Sequence, residues 1–482
     1  MRARLALLAL LALAGCTDDV VVRPVIDSPP PGSKGAAFAD LDTIELSVAL
    51  EGEQEPLVSL LFRRGETLEL SGVPYGENLV VHMLGRVNSA EVAYGRTCRF
   101  AVRAGESPPS PHLYFARTVR WADSAVPPSA IRIGGAALTS SNGTALYVGG
   151  VDAGNAMVLG ADRFDPTSGR FEELATLTPR LRGAAANLGD GRAIILGGVD
   201  QDGVSTTLVD VISIDASSDR AVESVFAPQL VSSTAPALAT LSDGRVVAIG
   251  GRDVNGTAIE SVSELAGEGD GITIRMLSNN NAKLAFPRHG HTATRLSDDL
   301  GAPVLIAGGR DTSGVPVETA ELYRPLVEQV APTTEFARPI RVPRWDHAAV
   351  RLPDGSVLIV GGRNASGPVT SLELFSLEAG FIVQGILPAG AGLTDFSVTS
   401  LPDGRVLIAG GRDPSGMPVD AAFIVRIDPL GGGIDVVNTD RLAARRAGHA
   451  ATLLCDGTVL LSGGTTEPTG SERYNPPSSG RR

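Results

Sequence analysis

Seven Gly-Gly doublets, each closing a short apolar run, punctuate the last two-thirds of this 482-residue chain at near-even spacing. They fall at Gly149-Gly150, Gly197-Gly198, Gly250-Gly251, Gly308-Gly309, Gly361-Gly362, Gly410-Gly411 and Gly463-Gly464, at intervals of 48, 53, 58, 53, 49 and 53 residues. A period near 50 marks repeated units that cannot bury a core alone and must pack against their neighbours. It constrains the architecture tightly and the activity hardly at all.

The fifth unit shows the anatomy. His347 to Leu352 alternates like a half-buried strand, Asp354-Gly355 signals a type I′ hairpin, and Ser356 to Val360 is the returning strand. The same signal recurs at Asp190-Gly191, Asp243-Gly244, Asp403-Gly404 and Asp456-Gly457, with Asn142-Gly143 in the first unit and a longer turn, Asp298 to Gly301, in the fourth. After each doublet a short loop leads to a third strand, such as LELF at 372–375, and then to a weaker fourth, such as RFEELATL at 170–177. Four short antiparallel strands, repeated seven times, predict an all-β fold built around a seven-bladed β-propeller.

The seventh unit stops at Tyr474-Asn475-Pro476 and so lacks its fourth strand. Thr118 to Trp121, just ahead of the first unit, reads as the missing one. Pairing it with Glu472 to Asn475 would close the ring and leave no open edge.

A doublet, an arginine seventeen residues ahead of it and an aromatic in the third strand are similar to the kelch repeat over residues 117–477. The arginines are Arg132, Arg180, Arg344 and Arg446, joined by Arg288 once its three extra turn residues are allowed for. Ser233 and Leu393 take that place in the third and sixth units. The resemblance implies a kelch-type propeller, a fold shared by binding modules, copper radical oxidases and bacterial sialic-acid mutarotases. The oxidase reading fails on its ligand set, because neither Cys98 nor Cys455 has the required tyrosine and histidine partners near it in sequence and no domain follows the propeller. A carbohydrate isomerase needs only a few polar residues at the channel mouth and stays open beside a binding or scaffold role.

Ahead of the propeller the pattern changes. Arg2 and Arg4, then an apolar run from Leu5 to Ala14, then Leu13-Ala14-Gly15-Cys16, read as a signal peptide over residues 1–16. The run is too short to span a bilayer. It resembles a bacterial lipobox, which implies cleavage before Cys16, lipid on that cysteine and, with Thr17 next, export to the outer membrane. Residues 17–38, with Pro29-Pro30-Pro31, are expected to be a flexible tether. Residues 39–116 hold short alternating runs such as IELSVAL (44–50) and NLVVHML (78–84), expected to form a small β-sandwich that resembles transthyretin-like or immunoglobulin-like modules. Residues 478–482 read as a disordered tail.

A net charge of −13 argues against a nucleic-acid partner. The lipid anchor is the expected membrane contact, and the sequence implies no cofactor. Cys98 and Cys455 read more readily as two small buried residues than as a bridge, although ring closure would bring them near each other. The candidate binding rim lies where the loops after the doublets meet the loops leading into the first strands. It combines Arg132, Arg180, Arg288, Arg344 and Arg446 with Arg252, Arg310, Arg363 and Arg412 from the GGRD and GGRN loops. Such a rim would suit an anionic or sugar-like ligand or a partner's loop; the plainer reading is local ion pairs and turn capping. His291, His347 and His449 each follow their arginine by three residues in separate blades, and read as structural side chains rather than metal ligands.

Overall fold

The computed structural model describes residues 20–478 except 54, 124–126, 141–142, 179, 207, 215–221, 227–234, 278–280, 333–338, 429–432 and 466–469. The leader with Cys16, Asn142, Ser233 and the tail from 479 lie outside these residues. Among the described residues all regular structure is β, apart from one 3₁₀ turn at Phe38–Asp40. Seven four-stranded antiparallel sheets follow one another along the chain. In the fifth unit the strands are Ala348–Arg351, Val357–Val360, Ser371–Ser376 and Gly380–Ile386. The first strand of each sheet packs on that of the next, and Ala450–Leu453 of the seventh packs on Ala136–Thr139 of the first. This closed ring is a β-propeller.

What holds the ring is the second strand. Val357–Val360 is buried along its whole length, because side chains alternate between two faces and both faces are covered. Val357 and Ile359 join Leu305 and Ala307 of the fourth sheet, while Leu358 and Val360 join Val406 and Ile408 of the sixth. Such an apolar cluster sits at every junction, including Ala145 and Tyr147 of the first sheet against Leu460 of the seventh.

The doublets earn their glycines twice over. Gly308 and Gly309 take φ of 64° and 90°, a region costly for a residue with a Cβ. A Cβ on Gly308 would also come within 2.6 Å of His347 Cε1 from the next unit. His291 and His449 press in the same way on Gly250 and Gly410, and Phe396 does so on Gly361. These histidines are therefore wedges between units. Burial, with Arg344 and Arg446 beside them, pushes His347 and His449 down to about 3. In the unfolded chain each titrates near the ordinary histidine value of about 6.5. Their stabilisation is thus complete above about pH 6.5 and is lost as pH falls toward 3, by about 1.4 kcal/mol per pH unit for each histidine. Urea midpoints should fall between pH 7 and 5, and His449→Phe, the solution used at Phe396, should blunt that fall. A variant as acid-sensitive as the parent would remove His449 from the account.

The hairpins differ from expectation. In Leu352 to Ser356 only Gly355 has positive φ, at 83°. Gly355 donates to the Leu352 carbonyl and Leu352 donates to that of Ser356. This is a type I turn with a glycine bulge rather than type I′: Asp354 does not take the positive φ that type I′ needs, and its Oδ1 instead accepts from the Ser356 N–H at 2.9 Å.

Ring closure uses the expected segment, with its strand two residues later than Thr118 to Trp121. Arg120–Asp123 pairs antiparallel with Ser471–Asn475, and Trp121 lies 5.0 Å from Tyr474 between ring centroids.

Residues 17–38 are not a tether where they are described. Val20–Val22 pairs with Leu70–Val73, and Val25–Asp27 runs parallel to His112–Tyr114. Val22 is fully buried beside Leu46, Leu70 and Met83. The proline-rich text beyond them masks two strands too short to show an alternation. The body of this module is a six-stranded sheet running from Ala116–Arg117 through Ala90–Arg96, Gly76–Val87 and Thr43–Leu50 to Val58–Arg63, with Phe100–Val102 also on Gly76–Val87. It is bolted to the seventh sheet. Cys98 and Cys455 form a disulfide with Cα atoms 5.0 Å apart, so the two cysteines do pair. Arg96 donates to the Cys455 carbonyl at 2.8 Å, and Asn475 donates to those of Tyr94 and Ala116. Cys455 lies in a hairpin turn, so the module docks on the face that carries the Asp-Gly turns. The loops after the doublets lie at the opposite end of the strands.

Candidate functional site

The nine arginines of the expected rim divide into two sets. Arg132, Arg180, Arg288, Arg344 and Arg446 are buried, so they form no rim. Each pairs with a carboxylate on the third strand of its own unit: Asp162 at 2.8 Å, Asp210 at 2.9 Å, Glu321 at 2.6 Å, and Glu373 and Glu472 at 2.5 Å. Four of the five also donate to the carbonyl of the first doublet glycine, as Arg344 does to Gly361 at 3.1 Å. The guanidinium thus ties strand three to the bend after strand two, a task that needs a donor fork with no water. The carboxylates lie opposite the residue two before the doublet. In the third and sixth units that position holds Ser263 and Phe423. Those are the two units with Ser233 and Leu393 in place of arginine. Arginine and acid are lost together, and Leu393 and Phe423 share one apolar cluster.

The second set does reach the open face. Arg252 donates to His289 Nε2 at 2.9 Å, and Arg310 stacks 4.9 Å over the Trp345 ring. Arg363 donates to Thr394 at 3.3 Å, and Arg412 to Asp395 at 2.9 Å. Each arginine follows its doublet directly and engages a segment that leads into or opens a first strand. That strand belongs to the next unit for Arg252, Arg310 and Arg363 and to its own unit for Arg412.

Arg252 and Arg310 border a cavity of about 750 Å³ at the channel mouth, together with Arg182, His289, Asp346 and Asp395. Arg182 is exposed and forms no ion pair among the described residues. Burial, then Arg252 and Arg310, push His289 down to about 4, so it is neutral at pH 7 and accepts from Arg252. Asp346 opens to the cavity, yet the surrounding protein raises its pKa against the pull of Arg310 and Arg363. Around it stand more cations than anions, in a chain of net charge −13. The arrangement can hold an anion, accept hydrogen bonds from its other groups, and move a proton at Asp346 or His289. Among the described residues no three His, Cys, Asp or Glu side chains gather as metal ligands.

Arg182, His289, Asp346 and Asp395 were missed by the motif reading, which followed the arginines and histidines that recur. Among these four only Asp346 and Asp395 share a residue type. Their common signal is position: Arg182, Asp346 and Asp395 each stand two residues after the arginine place, and His289 one after it.

No family model matches this chain, and no curated protein does. Among solved structures, that of YjhT is similar, at 12% identity and a TM-score of 0.49, over 65% of this chain and 99% of that chain. A likeness of that size says nothing of what this chain binds.

Proposed function

We propose that this is a lipid-anchored extracytoplasmic protein whose seven-bladed kelch-type propeller binds a small polar anion of sugar size at the channel mouth. The observation that carries the reading is the cavity of about 750 Å³ bordered by Arg182, Arg252 and Arg310 in an otherwise acidic protein. Arginines at a concave mouth concentrate the field that draws an anion in. The Cys98–Cys455 disulfide suits an oxidising compartment outside the cytoplasm, and the Cys16 lipobox suits attachment to the outer membrane. The sandwich-like module docks on the hairpin-turn face, so an anchor at its N-terminus would leave the mouth accessible.

Glucuronate at low millimolar concentration should raise the melting temperature, and glucose should not. Arg252→Ala and Arg310→Ala should each weaken glucuronate binding by about tenfold or more, as expected when a charged hydrogen bond is lost. Binding should also weaken as salt rises. If glucuronate gives no shift and no heat in titration calorimetry, the mouth is not an anion site of this kind.

A second reading, catalysis on the bound sugar, is favoured by one observation. Asp346 is raised and His289 lowered beside the same cavity, the pattern of groups set up to exchange protons. Faster interconversion of sugar anomers, followed by NMR and lost in Asp346→Asn, would distinguish an isomerase from a binder.

A further inference from the structure

The innermost ring of the propeller has one backbone demand that every unit must meet. The residue two after the arginine place has positive φ in all seven units. Three units use the natural solution: Gly134 at 74°, Gly290 at 67° and Gly448 at 67°. The conformation has a cause. It aims the backbone of this residue at the same residue of the neighbouring unit. Gly134 donates to the Gly448 carbonyl at 2.7 Å, Gly448 to that of Asp395 at 2.8 Å, and Asp346 to that of Gly290 at 2.8 Å.

The other four units place a side chain there: Arg182 at 61°, Ala235 at 55°, Asp346 at 50° and Asp395 at 54°. Aspartate visits this region more readily than most residues, but arginine and alanine gain nothing from it. These four belong to the second, third, fifth and sixth units, with Gly290 of the fourth between them, and all five residues border the cavity. Gly134 and Gly448 are neighbours on the remaining side of the ring, and Gly290 makes room for Asp346: a Cβ there would stand 2.8 Å from Asp346 Oδ1. Side chains held in strained backbone where glycine is permitted are characteristic of functional sites, where stability is given up for placement.

We propose that Arg182, Asp346 and Asp395 are the residues that select the ligand of the channel mouth, and that this ligand is bipolar. Its anionic group would lie with Arg182 on the side of Arg252 and Arg310. Its hydrogen-bond donors would lie toward Asp346 and Asp395. The inference rests on the anion site proposed above and goes beyond it by dividing the mouth into a cationic side and an accepting side. Asp395 already accepts from Arg412, so Asp346 carries most of the accepting role.

The repeat supplies its own mild substitution, since glycine occupies this place in three units. Arg182→Gly, Asp346→Gly and Ala235→Gly should fold and melt no lower than the parent, because each relieves a positive φ without removing a backbone hydrogen bond. Glucuronate affinity should fall about tenfold or more in Arg182→Gly, with a flatter salt dependence. It should fall comparably in Asp346→Gly with the salt dependence kept, and stay unchanged in Ala235→Gly. 2-Amino-2-deoxyglucuronate, which carries an ammonium in place of the 2-hydroxyl, identifies the donor: tighter binding than glucuronate that is lost in Asp346→Gly means ammonium, and equal binding means hydroxyl. Parental glucuronate affinity in Arg182→Gly and Asp346→Gly would overturn the assignment, and so would lower melting of all three variants. Failure of the parent itself to bind either probe would instead remove the anion site on which the assignment rests.

Discussion

Arg344→Ala is expected to cost about 3–5 kcal/mol, the loss found when one partner of a buried ion pair is removed and the other is stranded. Glu373 would be left as a fully buried carboxylate with no counter-charge, and Ser371 and the Gly361 carbonyl would lose their donors as well. Glu373→Ala should be of similar size, because it strands the guanidinium and frees the Arg341 and Val342 backbone N–H groups that the carboxylate accepts. The sixth unit shows the other route. There Leu393 and Phe423 stand at the equivalent positions and pack together. The double variant Arg344→Leu, Glu373→Phe should therefore lose less than either single alanine, since replacing both charges by apolar groups is often close to neutral. Thermal melting and urea unfolding of the three variants measure this. Single losses below about 1 kcal/mol, the size of a surface pair, would mean that water reaches the pair.

The parts of the fold legible in sequence are those set by local chemistry. Doublets, Asp-Gly turns and apolar second strands lie within a few residues of one another, so VLIVGG at 357–362 reads as a buried strand ending in a bend. The closing strand was legible for a different reason: the last unit is short by one strand, and Trp121 lies where it can be supplied. The acids that pair with the buried arginines were not legible. Asp162 follows its first doublet glycine by 13 residues, Glu373 by 12 and Glu472 by 9, because the intervening loops differ in length. Only strand register aligns them. Without those partners, five arginines in register look like an exposed ring, and the expected rim followed from that. The inner-ring position was hidden in another way. Gly290, Arg182 and Asp346 have no property in common as residue types; what they share is a positive φ, which a sequence does not print unless glycine occupies the site every time. Val20–Val22 was hidden by length, since three residues carry no period.

A chain beginning at Ser129 should be far less stable than the full protein and should self-associate. Its loss is not confined to one module. It removes Arg120–Asp123, which covers the edge of Ser471–Asn475, and it uncovers Tyr474, now buried against Trp121. Burial of an aromatic of this size is worth about 3–5 kcal/mol by truncation, and an unpaired edge strand templates association between copies. Asn475 would also lose the carbonyls of Tyr94 and Ala116, and Arg473 the Tyr114 ring 3.9 Å beneath it. The disulfide goes too, so its share must be measured separately. Cys98→Ser in the full chain breaks the link but keeps the strand, and should cost about 2–4 kcal/mol while the protein stays monomeric. Trp121→Ala keeps the link and weakens the strand. If closure by the strand governs the ring, the Ser129 chain should melt well below Cys98→Ser and elute as larger species in size-exclusion chromatography, with Trp121→Ala between them. If the truncated chain is monomeric and melts beside Cys98→Ser, the apolar junction of Ala145 and Tyr147 with Leu460 is sufficient to hold the first and seventh sheets together, and the strand only covers an edge that the ring does not need.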